Sequence, residues 1–148
     1  MTSTNPEQQI LVRVSRRFNA SPERVFDAWL DPERAGKWLF ATPTGEMVRV
    51  EIDPRIGGGF TVVERRDGEL AEHFGTYLEI DRPRRLVFSF SVEKYSVDAD
   101  RVTVEIAPLE SGCELTLTHE MNAKYAEFVD RTQQGWTGIL EGLAANLG

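Results

Sequence analysis

The chain has 148 residues, 41% of them hydrophobic, a single cysteine and a formal charge of −7. This is one globular domain that can bury a core without disulfides or a structural metal. Cys113, alone, excludes an internal disulfide and a cysteine-built zinc site, and the acidic balance argues against nucleic acid, whose phosphates call for a basic surface.

No apolar run approaches a membrane span, and the opening MTSTNPEQQ has neither the basic nor the apolar region of a signal peptide. The expectation is a cytoplasmic protein without integral membrane contact, residues 1–9 forming a flexible tail and 10–148 one domain. From Ile10 to Asn19, Ile10, Val12, Val14, Arg16 and Phe18 alternate with polar neighbours as in a half-buried strand, which points Arg16 inward. Ser21-Pro22 is an N-cap with proline in the first turn, opening a short helix with Val25, Phe26 and Trp29 on one face. Asp31-Pro32 repeats the signal for a second short helix ending near Trp38 and Leu39, and the run from Phe40 to Gly45 is loop.

From Met47 the pattern is strand after strand. Val48, Val50 and Ile52 alternate; Asp53 to Gly59 turns; Phe60 to Arg65 resumes; Arg66-Asp67-Gly68 reads as a hairpin. A strand follows from Leu70 to Ile80. On it the polar row of His73, Tyr77 and Glu79 is expected in solvent and the row of Phe74, Thr76, Leu78 and Ile80 inside. Strands at 86–92, 101–106 and 114–119 complete an antiparallel meander, the last carrying Leu115, Leu117 and His119 on one face.

The closing stretch is helical. Tyr125, Phe128, Val129, Thr132, Trp136, Ile139, Leu140, Leu143 and Leu147 fall on one stripe of a helix predicted from Ala123 to Asn146. Gly135, Gly138 and Gly142 weaken it and leave room for a sheet or a ligand. An antiparallel sheet needs one face covered, and this helix is the only large apolar cover available. The residues thus predict an α+β domain: a curved antiparallel sheet of about six or seven strands around a long C-terminal helix, with two short helices after the first strand.

Four stretches carry a resemblance. Arg16 to Glu33 (RRFNASPERVFDAWLDPE) with Gly36-Lys37-Trp38, then Asp53 to Phe60 (DPRIGGGF), Gly75 to Phe88 (GTYLEIDRPRRLVF) and Leu115 to Glu120 (LTLTHE) with Gly135-Trp136 and Leu140 appear in the order found in a known family. The chain resembles the homologues of the heat-shock-protein-90 ATPase activator, in the START-like (SRPBCC, helix-grip) superfamily. It departs from them at Trp38 to Pro43, which is stretched, and at Met121-Asn122-Ala123, where the family has glycine and an aromatic. The resemblance implies a helix-grip fold with an apolar cavity between sheet and terminal helix, occupied in the superfamily by small hydrophobic molecules and in some members by cyclisation or hydration chemistry. The namesake domain stimulates a chaperone ATPase with the help of a second, N-terminal domain, which is expected to be absent here.

Three functions follow: a module binding a hydrophobic or amphipathic small molecule, an enzyme using His119 or Glu79 as acid–base group, and a chaperone-interacting protein, in that order of preference. Cavity candidates are Arg16, Trp38, Phe40, Tyr77, Glu79, Phe88, Phe90, His119, Tyr125, Phe128 and Trp136. Arg16 is either a fork for a ligand carboxylate or phosphate, or a structural residue that pairs with Glu79 or Asp31 or snorkels near the strand end. His119 is either a general base or a hydrogen bond tying sheet to helix. The two histidines have no spaced carboxylate motif, so no metal is expected, and no cofactor motif is present. Nothing identifies a catalytic residue. An edge strand leaves a homodimer open.

Overall fold

The computed structural model describes residues 9–42, 44–92 and 100–147. The tail expected at 1–9 lies outside them except for Gln9. Strand β1 (Gln9–Phe18) is followed by helices α1 (Pro22–Leu30) and α2 (Pro32–Ala35), then strands β2 (Glu46–Ile52), β3 (Gly59–Arg66), β4 (Glu69–Asp81), β5 (Arg85–Val92), β6 (Asp100–Pro108) and β7 (Cys113–Asn122). A 3-10 turn (Ala123–Phe128) leads into helix α3 (Val129–Leu147). This is the expected α+β architecture.

The caps act where the sequence places them. Ser21 Oγ accepts the Arg24 N–H at 3.2 Å to start α1, and Asp31 Oδ1 accepts the Glu33 N–H at 3.0 Å to start α2. All seven strands form one antiparallel sheet in the order β1-β7-β6-β5-β4-β3-β2. β2 to β7 is the predicted meander, and the first strand returns to the last with Val12 opposite His119 and Arg16 opposite Leu115. Asp67 and Gly68 both have positive φ, 51° and 82°, which lets the β3–β4 hairpin turn with the twist of its strands. Gly75 is required by crowding: a Cβ there would lie 2.1 Å from the Ser89 carbonyl oxygen and 2.2 Å from the Phe60 ring.

Two expectations need correction. On β4 it is the polar row that is buried: His73 and Tyr77 face the interior, whereas Thr76 and Leu78 are exposed. A bulge between Tyr77 and Glu79 then inserts Leu78 as the extra residue, so that Ile80 turns in and Glu79 turns out to meet Arg85 at 3.2 Å. The terminal helix is also shorter than predicted. Tyr125 (φ −102°, ψ 23°) breaks the helical geometry, so the regular helix begins at Val129 and spans 19 residues, a length of roughly 28 Å.

The core lies where α1 and α3 press on the sheet. Val14 and Phe18 of β1, Val25, Phe26 and Trp29 of α1, Val104 and Ile106 of β6, Leu115 and Leu117 of β7 and Leu140, Leu143 and Leu147 of α3 form one buried cluster. Arg24 donates to the Leu147 carbonyl, so α1 supplies a cation to the negative end of α3. α3 packs along β1 and α1. Its N-terminal half therefore stands away from β3 to β5, and this separation makes the site.

Candidate functional site

A cleft of about 640 Å³ opens between the N-terminal half of α3, the inner face of the sheet and the segment after α2. Its size suits a small molecule. The sheet contributes Arg66, His73, Phe90 and His119, the segment contributes Phe40, Ala41 and Thr42, and α3 contributes Arg131, Thr132, Gln134, Gly135, Trp136, Gly138, Ile139 and Glu141.

The apolar wall is a set of stacked rings. Phe40 lies parallel to His73 with centroids 4.3 Å apart and to Phe90 at 5.2 Å, and Trp136 stands 5.6 Å from Phe40. Phe40 takes up this place from a left-handed backbone conformation, φ 59°, rare for a phenylalanine. The same side chain also borders a small void behind the wall, among Trp29, Leu39, Phe60, Tyr77, Leu86 and Phe88.

A buried carboxylate holds that segment in place. Glu64 is 1% exposed and follows Phe60 and Val62 on the inner row of β3. Its oxygens accept the Thr42 N–H at 2.7 Å, the Thr42 hydroxyl at 3.0 Å and Arg66 Nε at 2.6 Å, and Arg66 also donates to the Phe40 carbonyl at 3.0 Å. Burial pulls the Glu64 carboxyl upward, but these donors outweigh it and leave it below the usual value. A side chain at Gly45 would meet the Glu64 carboxyl group at 2.2 Å, so glycine is needed for the segment to close over the carboxylate.

The two histidines differ. His119 is buried between partners: Trp136 Nε1–H donates to its Nδ1 at 2.8 Å, and its Nε2 meets Asp100 Oδ2 at 2.8 Å. The indole can only donate, so Nδ1 is an acceptor and the proton sits on Nε2, facing the carboxylate. With each nitrogen engaged, His119 ties β6, β7 and α3 together; acid–base work would require breaking one of these bonds. His73 is 7% exposed and its Nδ1 bonds the Val62 carbonyl oxygen at 3.1 Å. That leaves Nε2 as an acceptor with no partner among the described residues, on the cleft wall. Burial pushes its pKa down to about 4, so at neutral pH the ring is uncharged.

Of the expected cavity residues, Phe40, Phe90, His119 and Trp136 line the cleft. Trp38, Tyr77 and Phe88 lie in the buried core, where burial pushes the Tyr77 phenol pKa up. Glu79 is carried out of the interior by the β4 bulge. Tyr125 and Phe128 belong to the 3-10 turn, ring against ring at 6.4 Å, outside the cleft-lining set. Arg16 is in the inner row as expected but half-buried, its guanidinium 5.8 Å from the Phe18 ring, and it too lies outside that set. It forms neither expected ion pair; Glu79 pairs with Arg85 and Asp31 with Arg34. Its buried Nε has no partner, and nothing in the structure explains that.

Sequence reasoning missed Glu64, Arg66, Thr42, Arg131 and Asp100. The signal that singled out Arg16, a charge in an apolar alternating row, was present at Glu64 after Phe60 and Val62. Among the described residues no group of three or more histidine, cysteine, aspartate or glutamate side chains could hold a metal, and no helix is long and apolar enough to cross a membrane.

The family model for activator of Hsp90 ATPase homolog 1-like proteins matches residues 19–148. The chain belongs to this family. Solved structures show the same fold. A protein from Chromobacterium violaceum shares 28% identity with a TM-score of 0.81, over 91% of this chain and 94% of its own. One from Nitrosomonas europaea shares 21% with a TM-score of 0.79, over 99% and 97%. An AHSA1-like protein from Aeromonas hydrophila shares 22% with a TM-score of 0.79, over 93% and 92%. No curated protein matches the chain.

Proposed function

We propose that this family member is a binding module that takes a small amphipathic molecule into the cleft between sheet and α3. The observation that carries the reading is the open ring-lined wall itself. Phe40, Phe90 and Trp136 line the cleft beside an acceptor, His73 Nε2, that has no partner among the described residues. A concave apolar wall of this size with one unpaired polar atom on it is what an amphipathic occupant complements. Binding without chemistry is preferred because neither expected acid–base group is placed for it: His119 has each nitrogen engaged and Glu79 is on the outer face with Arg85.

Native mass spectrometry of the undenatured protein tests this. The expected result is a species above the 16.7 kDa chain that is lost on mild activation and absent from Gly135→Trp, a bulky change at a cleft-lining position with open space around its Cβ. The homologue name raises the other reading, stimulation of a chaperone ATPase through the surface. Stimulation left intact by Gly135→Trp, with no retained small molecule and no metabolite found to bind on screening, would sink the proposal.

A further inference from the structure

We infer that the cleft selects an organic oxyanion with a flat apolar body, its acid group taken by Arg66 and Arg131 and its rings by Phe40, Phe90 and Trp136. This rests on the cleft being the binding site.

The charge distribution is the first argument. The chain carries −7 overall, yet the ionic side chains lining the cleft are two arginines and one carboxylate, Glu141. Glu64, ion-paired with Arg66 at 2.6 Å, offsets that guanidinium's charge, so Arg66 offers an oriented N–H donor and Arg131, which forms no ion pair among the described residues, the free positive charge. Asp100, behind His119, is outside the lining set.

The second argument is preorganisation. Arg66 spends Nε on Glu64 and Nη2 on the Phe40 carbonyl, which fixes the guanidinium plane and leaves Nη1 without a partner among the described residues. A fixed guanidinium loses little conformational freedom when an oxyanion docks. Arg131 forms no ion pair among the described residues and rests over the Phe128 ring at 5.7 Å. Arg66 belongs to the sheet wall and Arg131 to the helix wall, so an acid group is approached from two sides.

The third argument is access. Gly135 lines the cleft and a Cβ built on it meets nothing within 4 Å, so α3 presents bare backbone there where a side chain would narrow the opening. His73 Nε2, on the cleft wall and without a partner among the described residues, supplies an acceptor for a hydroxyl or N–H on the same ligand. Carboxylate and phosphate share the geometry that a guanidinium recognises, and the test separates them.

Anilinonaphthalene sulfonate, an aromatic anion whose fluorescence rises on burial, is the reporter. Naphthoate, naphthyl phosphate and naphthylmethanol then compete for it, three molecules with one ring system and different head groups. At least one acid should displace the reporter about tenfold more tightly than the alcohol, and the better acid names the head group. The advantage should shrink severalfold in Arg131→Gln, an exposed change that leaves the fold alone, and in Arg66→Gln where that variant folds. Gly135→Trp should abolish all binding. An alcohol that competes as well as either acid, with Gly135→Trp still blocking, overturns anion selection and leaves the cleft reading standing. A reporter that does not bind, or binds Gly135→Trp unchanged, overturns each.

Discussion

The two halves of α3 have the same periodicity and opposite surroundings. From Leu140 onward the inward residues Leu140, Leu143 and Leu147 are buried among Val14, Phe18 and Val25, and Arg24 closes the last turn. Before it, between Val129 and Ile139, Trp136 is the one fully buried side chain, and Gly135 and Gly138 are exposed. Among the described residues the N-terminal half is held by the Trp136–His119 hydrogen bond, by rings it shares with the cleft and by the packing of Trp136 and Ile139 on the core. One helix therefore grips at one end and lines an opening at the other. The prediction is that changes in the gripping half register in stability and changes in the lining half register in binding.

The largest effect belongs to the gripping half. Leu143→Ala removes a side chain with no exposure from the dry core and should cost about 2–5 kcal/mol, read as a lower urea midpoint. A loss well under 1 kcal/mol would mean that this half is not the anchor. Glu64→Ala comes next. It leaves the Thr42 N–H and Arg66 Nε without their acceptor, and with Arg66 partly solvated the cost is about 2–3 kcal/mol. Because those bonds hold the 40–42 segment, this variant should also weaken ligand binding, which Leu143→Ala should not do while the protein remains folded.

Much of this division was absent from the sequence, for reasons that particular residues make clear. Ser21, Asp31 and the alternation from Cys113 to Met121 are local signals, and the elements they predict form as read. The β4 bulge depends on how Tyr77 and Glu79 pair with β5, so no pattern within β4 could show that Leu78 is the extra residue. The predicted stripe runs unbroken through Tyr125 and Phe128, yet the backbone departs from the helix at Tyr125. Trp38 and Phe40 are two residues apart and equally aromatic. The first is core and the second a cleft wall because Phe40 alone turns through a left-handed conformation, a difference of backbone rather than composition.

His73 sharpens the comparison through pH. Its ring is buried neutral with a pKa near 4, against 6.5 ordinarily. Between those values the unfolded chain holds a proton that the native state refuses. Stability is therefore full above 6.5 and declines as pH falls towards 4, on the order of 2 kcal/mol by pH 5. Below 4 the native ring takes up the proton as well and the decline from this group ends. His73→Phe keeps the stack with Phe40 and should flatten that part of the stability curve; an unchanged slope would assign it to other groups. Trp136→Phe, which deletes the N–H that His119 Nδ1 accepts, should cost about 1–2 kcal/mol at neutral pH. It should also loosen the N-terminal half of α3, seen as faster amide exchange over residues 129–139 than over 140–147.

The smallest effect in stability is the most informative about the cleft. Gly135→Ala adds a methyl group where nothing lies within 4 Å, in a helix where alanine is preferred to glycine, so it should raise stability by about 1 kcal/mol. Gly142→Ala is the matched control. Its Cβ would meet the Trp38 Cβ at 3.6 Å, ordinary contact that the core tolerates, and it does not line the cleft. A ligand seated against the bare backbone of α3 makes the two substitutions diverge: similar gains by thermal melting, weakened binding only for Gly135→Ala. Equal binding by the two variants would show that the glycine strip serves neither ligand nor fold. The lining half of the helix would then owe its open face to something other than the cleft's occupant.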